Sequence, residues 1–189
     1  LGLDTLNMRR MATRNFTRET LPEASSRCRA CGTRLYLTLN TLLYEGELAA
    51  AEAVLQFAKP HVDAVIVADW GAIALCQRLG VPFHVSTQMS CANSEAARFL
   101  KRQGADRVVL ARECTLDEVA AIAATAGIEV ETFVHGAVCV AVSGRCLLSH
   151  EAYGCSSNRG ECRQPCRREF PIREVREGED ADAAFRVTP

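Results

Sequence analysis

Five of the chain's ten cysteines fall in CVAVSGRCLLSHEAYGCSSNRGECRQPC, at Cys139, Cys146, Cys155, Cys162 and Cys166. Arg145, Arg159, Arg163 and Arg167 lie among or beside them. Thiolates bind soft and borderline metals, act as nucleophiles, or cross-link. Cys139 and Cys146 are separated by six residues, and Cys146 and Cys162 by fifteen. That is neither a C-x-x-C zinc pair nor a bacterial ferredoxin run, so spacing alone leaves zinc and iron–sulfur both open. The arginines offer planar forks that suit phosphate or carboxylate. On a chain of net charge -1 they form a local basic patch, fit for an RNA backbone or a small anion.

A second set of polar residues recurs at regular places. Asn40, Asp69, Gln88, Arg112 with Glu113, and His135 each close a short run of apolar and β-branched residues. The runs are TRLYLTLN (33–40), DAVIVAD (63–69), PFHVSTQM (82–89), DRVVLARE (106–113) and EVETFVHG (129–136). Between them lie EGELAAAEAVLQFAKP, WGAIALCQRLG, NSEAARFLKRQG and TLDEVAAIAATAG, which are rich in Ala, Leu and Glu and mostly end in Gly. Such segments are helices closed by a left-handed cap, with Asn93 and Thr115 as starting caps and Thr115 with Glu118 as a capping box. Strands alternating with helices predict parallel β/α units. No G-x-G-x-x-G follows a first strand, so the reading is a β/α (TIM-like) barrel rather than a dinucleotide fold. In a barrel, strand C-termini carry the active site. A whole barrel needs eight units and typically around 250 residues, so five strands with the end of another at Leu1–Gly2 predict an incomplete portion.

These expectations divide the chain into a barrel portion over 1–136, a C-terminal cysteine-rich segment of the same domain over 137–170, and a tail over 171–189. An apolar fraction of 48% and a charged fraction of 24% are those of an ordinary globular protein. No run approaches a membrane span, and no cleavable leader opens the chain, so the expected location is cytoplasmic. Clustered thiols in a reducing compartment are metal ligands or redox groups more often than disulfides. The remaining cysteines have plainer readings. Cys76, Cys91 and Cys114 sit in apolar contexts as small hydrophobes. Cys28 and Cys31 form a C-x-x-C with no second pair near it. A protease would need an activated nucleophile, for which Ser143, or Cys139 with His135, are the candidates. Neither H-E-x-x-H nor G-x-S-x-G is present.

FVHGAVCVAVSGRCLLS followed by NRGECRQPCRREF resembles the signature region of the collagenase-like peptidase family, U32. The pattern extends upstream through LNMR…NF at Asn7 to Phe16, LNTL at Asn40, IVADWG at Asp69, HVSTQMS at Gln88 and VVLARE at Glu113. The resemblance implies a β/α-barrel catalytic domain. It also implies hydroxylation of RNA bases or of the ubiquinone ring: in tRNA at the wobble uridine with prephenate as co-substrate, in 23S rRNA at a cytidine, or as one subunit of a paired complex. In the paired class it implies a 4Fe-4S cluster whose cysteines match Cys139, Cys146 and Cys162; the family's fourth ligand lies well beyond the RGEC segment, so the alternatives are Cys166, a residue past this chain, or no cluster in this chain. The rim residues Asn40, Asp69, Gln88, Glu113 and His135 would position donor and substrate. Arg112, Arg145, Arg159, Arg163 and Arg167 would bind the substrate anion. The alternatives are a peptidase and a cluster-binding partner subunit.

Overall fold

The structure, a computed structural model, describes residues 1–11, 14–136 and 138–169; the tail expected over 171–189 lies outside them. The alternation predicted from sequence is present. In chain order the elements are α1 (Leu21–Ala30), β1 (Tyr36–Leu39), α2 (Leu48–Ala58), β2 (Ala64–Val67), α3 (Trp70–Leu79), β3 (Phe83–Val85), α4 (Ser94–Arg102), β4 (Arg107–Val109), α5 (Leu116–Thr125), β5 (Glu129–Glu131) and α6 (Leu148–Tyr153). The five strands form one parallel sheet in the order β1-β2-β3-β4-β5. Among the described residues the order never reverses, so the five strands contain no topological switch point of the kind a doubly wound sheet has. Successive crossovers of one hand place their helices on one face. Among the described residues β1 and β5 do not pair with each other. Gly2 makes an isolated parallel bridge to Thr38, so the opening residues extend the sheet beyond β1.

The two faces differ because side chains alternate along a strand. Leu37, Leu39, Val65, Val67, Phe83, Val85, Val108 and Leu110 are buried in one core cluster with Ala51, Leu55, Ala72, Cys76, Ala97, Leu100 and Ile122 of the helices. Thr38, Ile66, Ser86, Val109 and Glu131 instead line a cavity on the other face.

Helix ends follow their residues. Asn93 Oδ1 accepts from Ala96 N at 2.9 Å, and Thr115 with Glu118 closes the expected capping box. Gly80, at φ 61°, closes α3 in the left-handed conformation that carries no Cβ cost for glycine. The strands are shorter than predicted. β3 stops at Val85 and β5 at Glu131, so Gln88 lies in a 3-10 turn and His135 in the loop beyond β5. No helix among the described residues is long and apolar enough to cross a membrane.

Candidate active site

Above the C-terminal ends of the strands, residues 138–169 run as a strap with little regular structure. It leaves β5 and crosses the sheet edge back to the N-terminal segment, tied down at successive points by polar bonds. At β4, Glu113 Oε1 accepts from Ser143 N at 2.8 Å and its Oε2 accepts from Ser143 Oγ at 3.1 Å. Beyond β3, Arg145 Nε donates to the Gln88 carbonyl at 3.2 Å. Beyond β1, Leu42 N donates to the Asn158 carbonyl at 3.3 Å, and Arg159 forks onto the Glu47 carboxylate and reaches the Leu42 carbonyl at 2.9 Å. At the N-terminal segment, Arg10 pairs with Glu161. Gly160 passes so close to the Asn7 carbonyl that any Cβ there would overlap it.

Strap, sheet edge and N-terminal segment enclose a cavity of about 730 Å³. Asn40 and Gln88 line it, together with Cys139, Cys146, Cys162 and Cys166. So do Arg9, Arg14, Arg112 and Arg167. Glu131 is the one acidic lining residue among those described, and Arg107 already pairs with it at 3.0 Å. The cavity is therefore electropositive and suited to an anion. Asn40 Oδ1 accepts from Met8 N at 3.0 Å, and Gln88 Oε1 accepts from Ser86 Oγ. Both amides thus have their acceptors engaged, and among the described residues their N–H donors bind no other group.

Several predicted site residues are placed elsewhere, each because a local bond claims it. Asp69 caps α3: its Oδ1 accepts from Gly71 N at 2.7 Å and Ala72 N at 3.3 Å, and its Oδ2 from Leu43 N at 3.3 Å. Glu113 holds the strap, and the Ser143 amide is the main reason its carboxyl sits below the usual carboxylate range. His135 is exposed beyond the early end of β5 and does not line the cavity. Arg145 and Arg159 are strap ties, and Arg159 also lies 4.5 Å over the Tyr44 ring. Arg163 is exposed, 5.6 Å over the Tyr153 ring. Of the five expected arginines, Arg112 and Arg167 face the cavity. Arg9 and Arg14 escaped the reading because their segment carries no periodicity and reaches the cavity only through tertiary folding.

For a cluster, the donor chemistry is right. Four thiols line one cavity, and Leu148 N donates to Cys146 Sγ at 3.3 Å, the kind of bond that stabilises a ligating thiolate. Their spacing is not that of ligands in place. Among the described residues no three His, Cys, Asp or Glu side chains stand close enough together to hold a metal ion. The expected convergence on a point is therefore absent from this arrangement. Each thiol rides on a separately anchored stretch of strap. Cys139 precedes the Ser143 turn, Cys146 is fixed by its N–H bond to Asn158 Oδ1 at 3.2 Å, and Cys162 and Cys166 follow the Arg10–Glu161 tie. Cys155 points away from the cavity, its thiol donating to the carbonyls of Ser149 and Glu161 at 3.6 and 3.3 Å. Cys76 and Cys91 are buried in the core, and burial pushes the Cys76 thiol up to about 12.

The chain belongs to peptidase family U32, whose pattern it matches over residues 1–187. It is 39% identical to a collagenase of Porphyromonas gingivalis over 96% of this chain and 46% of that protein. It is 37% identical to tRNA hydroxylation protein P1 of Bacillus subtilis over 93% of this chain and 44% of that protein. The chain thus spans under half the length of these relatives. A solved U32 peptidase structure superposes with a TM-score of 0.54 over 69% of this chain and 56% of its own, at 20% identity, which speaks to the fold alone.

Proposed function

We propose that this U32 chain forms the substrate cavity of an RNA-base hydroxylation protein. The observation that carries the reading is one electropositive cavity lined at once by four thiols, four arginines and five amide side chains, Asn40 and Gln88 among them. Arg9, Arg14, Arg112 and Arg167 hold the phosphates of RNA or the carboxylates of a co-substrate such as prephenate. The amides of Asn40 and Gln88 orient the base or co-substrate by donating to its carbonyl oxygens. Cys139, Cys146, Cys162 and Cys166 would hold a 4Fe-4S cluster, which when bound supplies one-electron chemistry. Placing the thiols at ligating distance requires the strap to tighten around them. The sequential parallel sheet is then an arc of a β/α barrel, with the cavity over its interior.

A tRNA hydroxylation relative supports RNA as the substrate class. The collagenase relative keeps proteolysis as the competing reading. The geometry here does not favour it. Ser143 is fully buried, with its hydroxyl bonded to Glu113. No histidine among the described residues hydrogen-bonds to Ser143 or Cys139, and the one carboxylate that meets the Ser143 hydroxyl, Glu113, is held at the same time by the Ser143 backbone N–H in a buried turn.

The test is the RNA of cells lacking the full-length gene, digested to nucleosides and compared with RNA from cells complemented by the wild type or by Cys146→Ser. The expected result is loss of a nucleoside heavier by one oxygen atom, restored by the wild type and not by the variant. Unchanged nucleosides, with the full-length protein cleaving gelatin, would replace this reading with the proteolytic one.

A further inference from the structure

Glu113 lies in the turn four residues beyond the end of β4, on the side of the sheet that carries the strap, and its carboxylate binds one turn of that strap. Both oxygens are engaged by one residue, Ser143, through the amide N–H at 2.8 Å and the hydroxyl at 3.1 Å. Ser143 is fully buried and holds φ 46°, ψ 29°. That left-handed conformation is one that a residue with a Cβ rarely adopts. The turn is pinned again on its far side, where Arg145 Nε reaches the Gln88 carbonyl at 3.2 Å. Cys139 lies on one side of this turn and Cys146 on the other, and both line the cavity.

We propose that Glu113 is a positioning residue: through Ser143 it holds the turn that brings Cys139 and Cys146 to the same cavity. The inference rests on the reading of that cavity as the working site, but its claim concerns thiol placement alone. A carboxylate suits the task because it accepts two bonds at once and needs no partner of its own. The serine hydroxyl adds a second bond, while the backbone N–H is available from any residue that tolerates the conformation. Glycine tolerates it best.

Thiol accessibility tests this without iron, RNA or catalysis, so its failure is distinct from failure of the hydroxylation reading. The full chain, reduced and metal-free, is pulsed with N-ethylmaleimide, and each cysteine is read by peptide mass spectrometry. Exposed Cys31 serves as the reference and buried Cys76 as the folding control. Glu113→Ala is expected to raise labelling of Cys139 and Cys146 about tenfold, the factor expected from losing a charge-assisted hydrogen bond, with Cys31 unchanged. Glu113→Gln keeps the length and one acceptor and should stay within about twofold of wild type. Glu113→Asp keeps the charge but falls a methylene short, so it should resemble Glu113→Ala. Ser143→Gly keeps the amide and suits the turn, so it should resemble wild type. Should Glu113→Ala also expose Cys76, the Gln and Asp variants decide. Wild-type labelling in Glu113→Asp, or labelling in Glu113→Gln as high as in Glu113→Asp, overturns the proposal.

Discussion

The sheet with its helices and the strap that crosses it are held by different forces. In the β/α region, apolar side chains from strand and helix meet in one cluster, with Leu37, Leu55, Val65, Val67 and Val85 fully buried. That region is stabilised by burial, which is non-directional and proportional to area. The strap buries few large apolar groups. Val138, Val140, Val142 and Leu147 are exposed. It is held instead by directional bonds between residues far apart in sequence: Arg159 to Glu47, Arg10 to Glu161, Ser143 to Glu113. Partly exposed ion pairs such as Arg10–Glu161 contribute modestly each, and they respond to pH and salt. The cavity therefore has a rigid floor and a roof that can shift by breaking a few bonds.

The largest expected effect lies in the floor. Leu55→Ala should destabilise the whole chain by about 2–5 kcal/mol, seen as a lower Tm with strap and sheet lost together. Gly160→Ala should act on the roof alone. It places a Cβ against the Asn7 carbonyl at φ 81°, a strain of about 1–2 kcal/mol before the overlap is counted. Limited proteolysis should then cut within 139–169 while far-UV circular dichroism and Tm stay near wild type. Simultaneous loss of both would show that strap and sheet fold as one unit.

Asp69→Ala separates a rim role from a capping role. Removing an N-cap costs about 1 kcal/mol, so Tm should fall modestly while the nucleoside hydroxylation proposed for the full-length protein is unaffected. Loss of activity at unchanged Tm would restore Asp69 to the site. The smallest effect is on pH. Glu47 is held below its ordinary value of 4.5, chiefly by its bond to Arg159. A depressed carboxylate contributes stability that is present above its unfolded pKa and is lost as pH falls through the folded one. Proteolysis of the strap should therefore rise below about pH 4.5, and in Arg159→Met it should already be raised at neutral pH. Equal sensitivity of strap and sheet to acid would remove the distinction between them.

The β/α alternation was legible in the sequence because it is local. Period-2 apolar runs, Ala-rich segments and caps such as Asn93 and Thr115 act within a few residues of themselves. Strand lengths were read too long at β3 and β5, because a rim residue such as Gln88 or His135 continues the polar–apolar pattern after ladder pairing has stopped. The placement of Asn40 and Gln88 at the cavity followed from strand-end logic, whereas the same logic put Asp69 there wrongly. An aspartate just before a helix serves equally well as a cap, and it is the amides of Gly71 and Ala72 that claim it.

The cysteine segment was visible from its composition, and so was its nearness to the strand ends. Which of its cysteines and arginines share the cavity was not. Cys155 and Cys162, like Arg159 and Arg167, differ only in what the folded chain presents to them. By itself the sequence determined the parallel units, their caps and the thiol-rich strap, since these depend on residue type and short spacing. The tertiary structure alone decided that Arg9 and Arg14 join the cavity and that Glu113 serves the strap. A side chain's bonding capacity is written in its type, but its partner is set by which distant backbone and side-chain atoms the fold brings within about 3 Å.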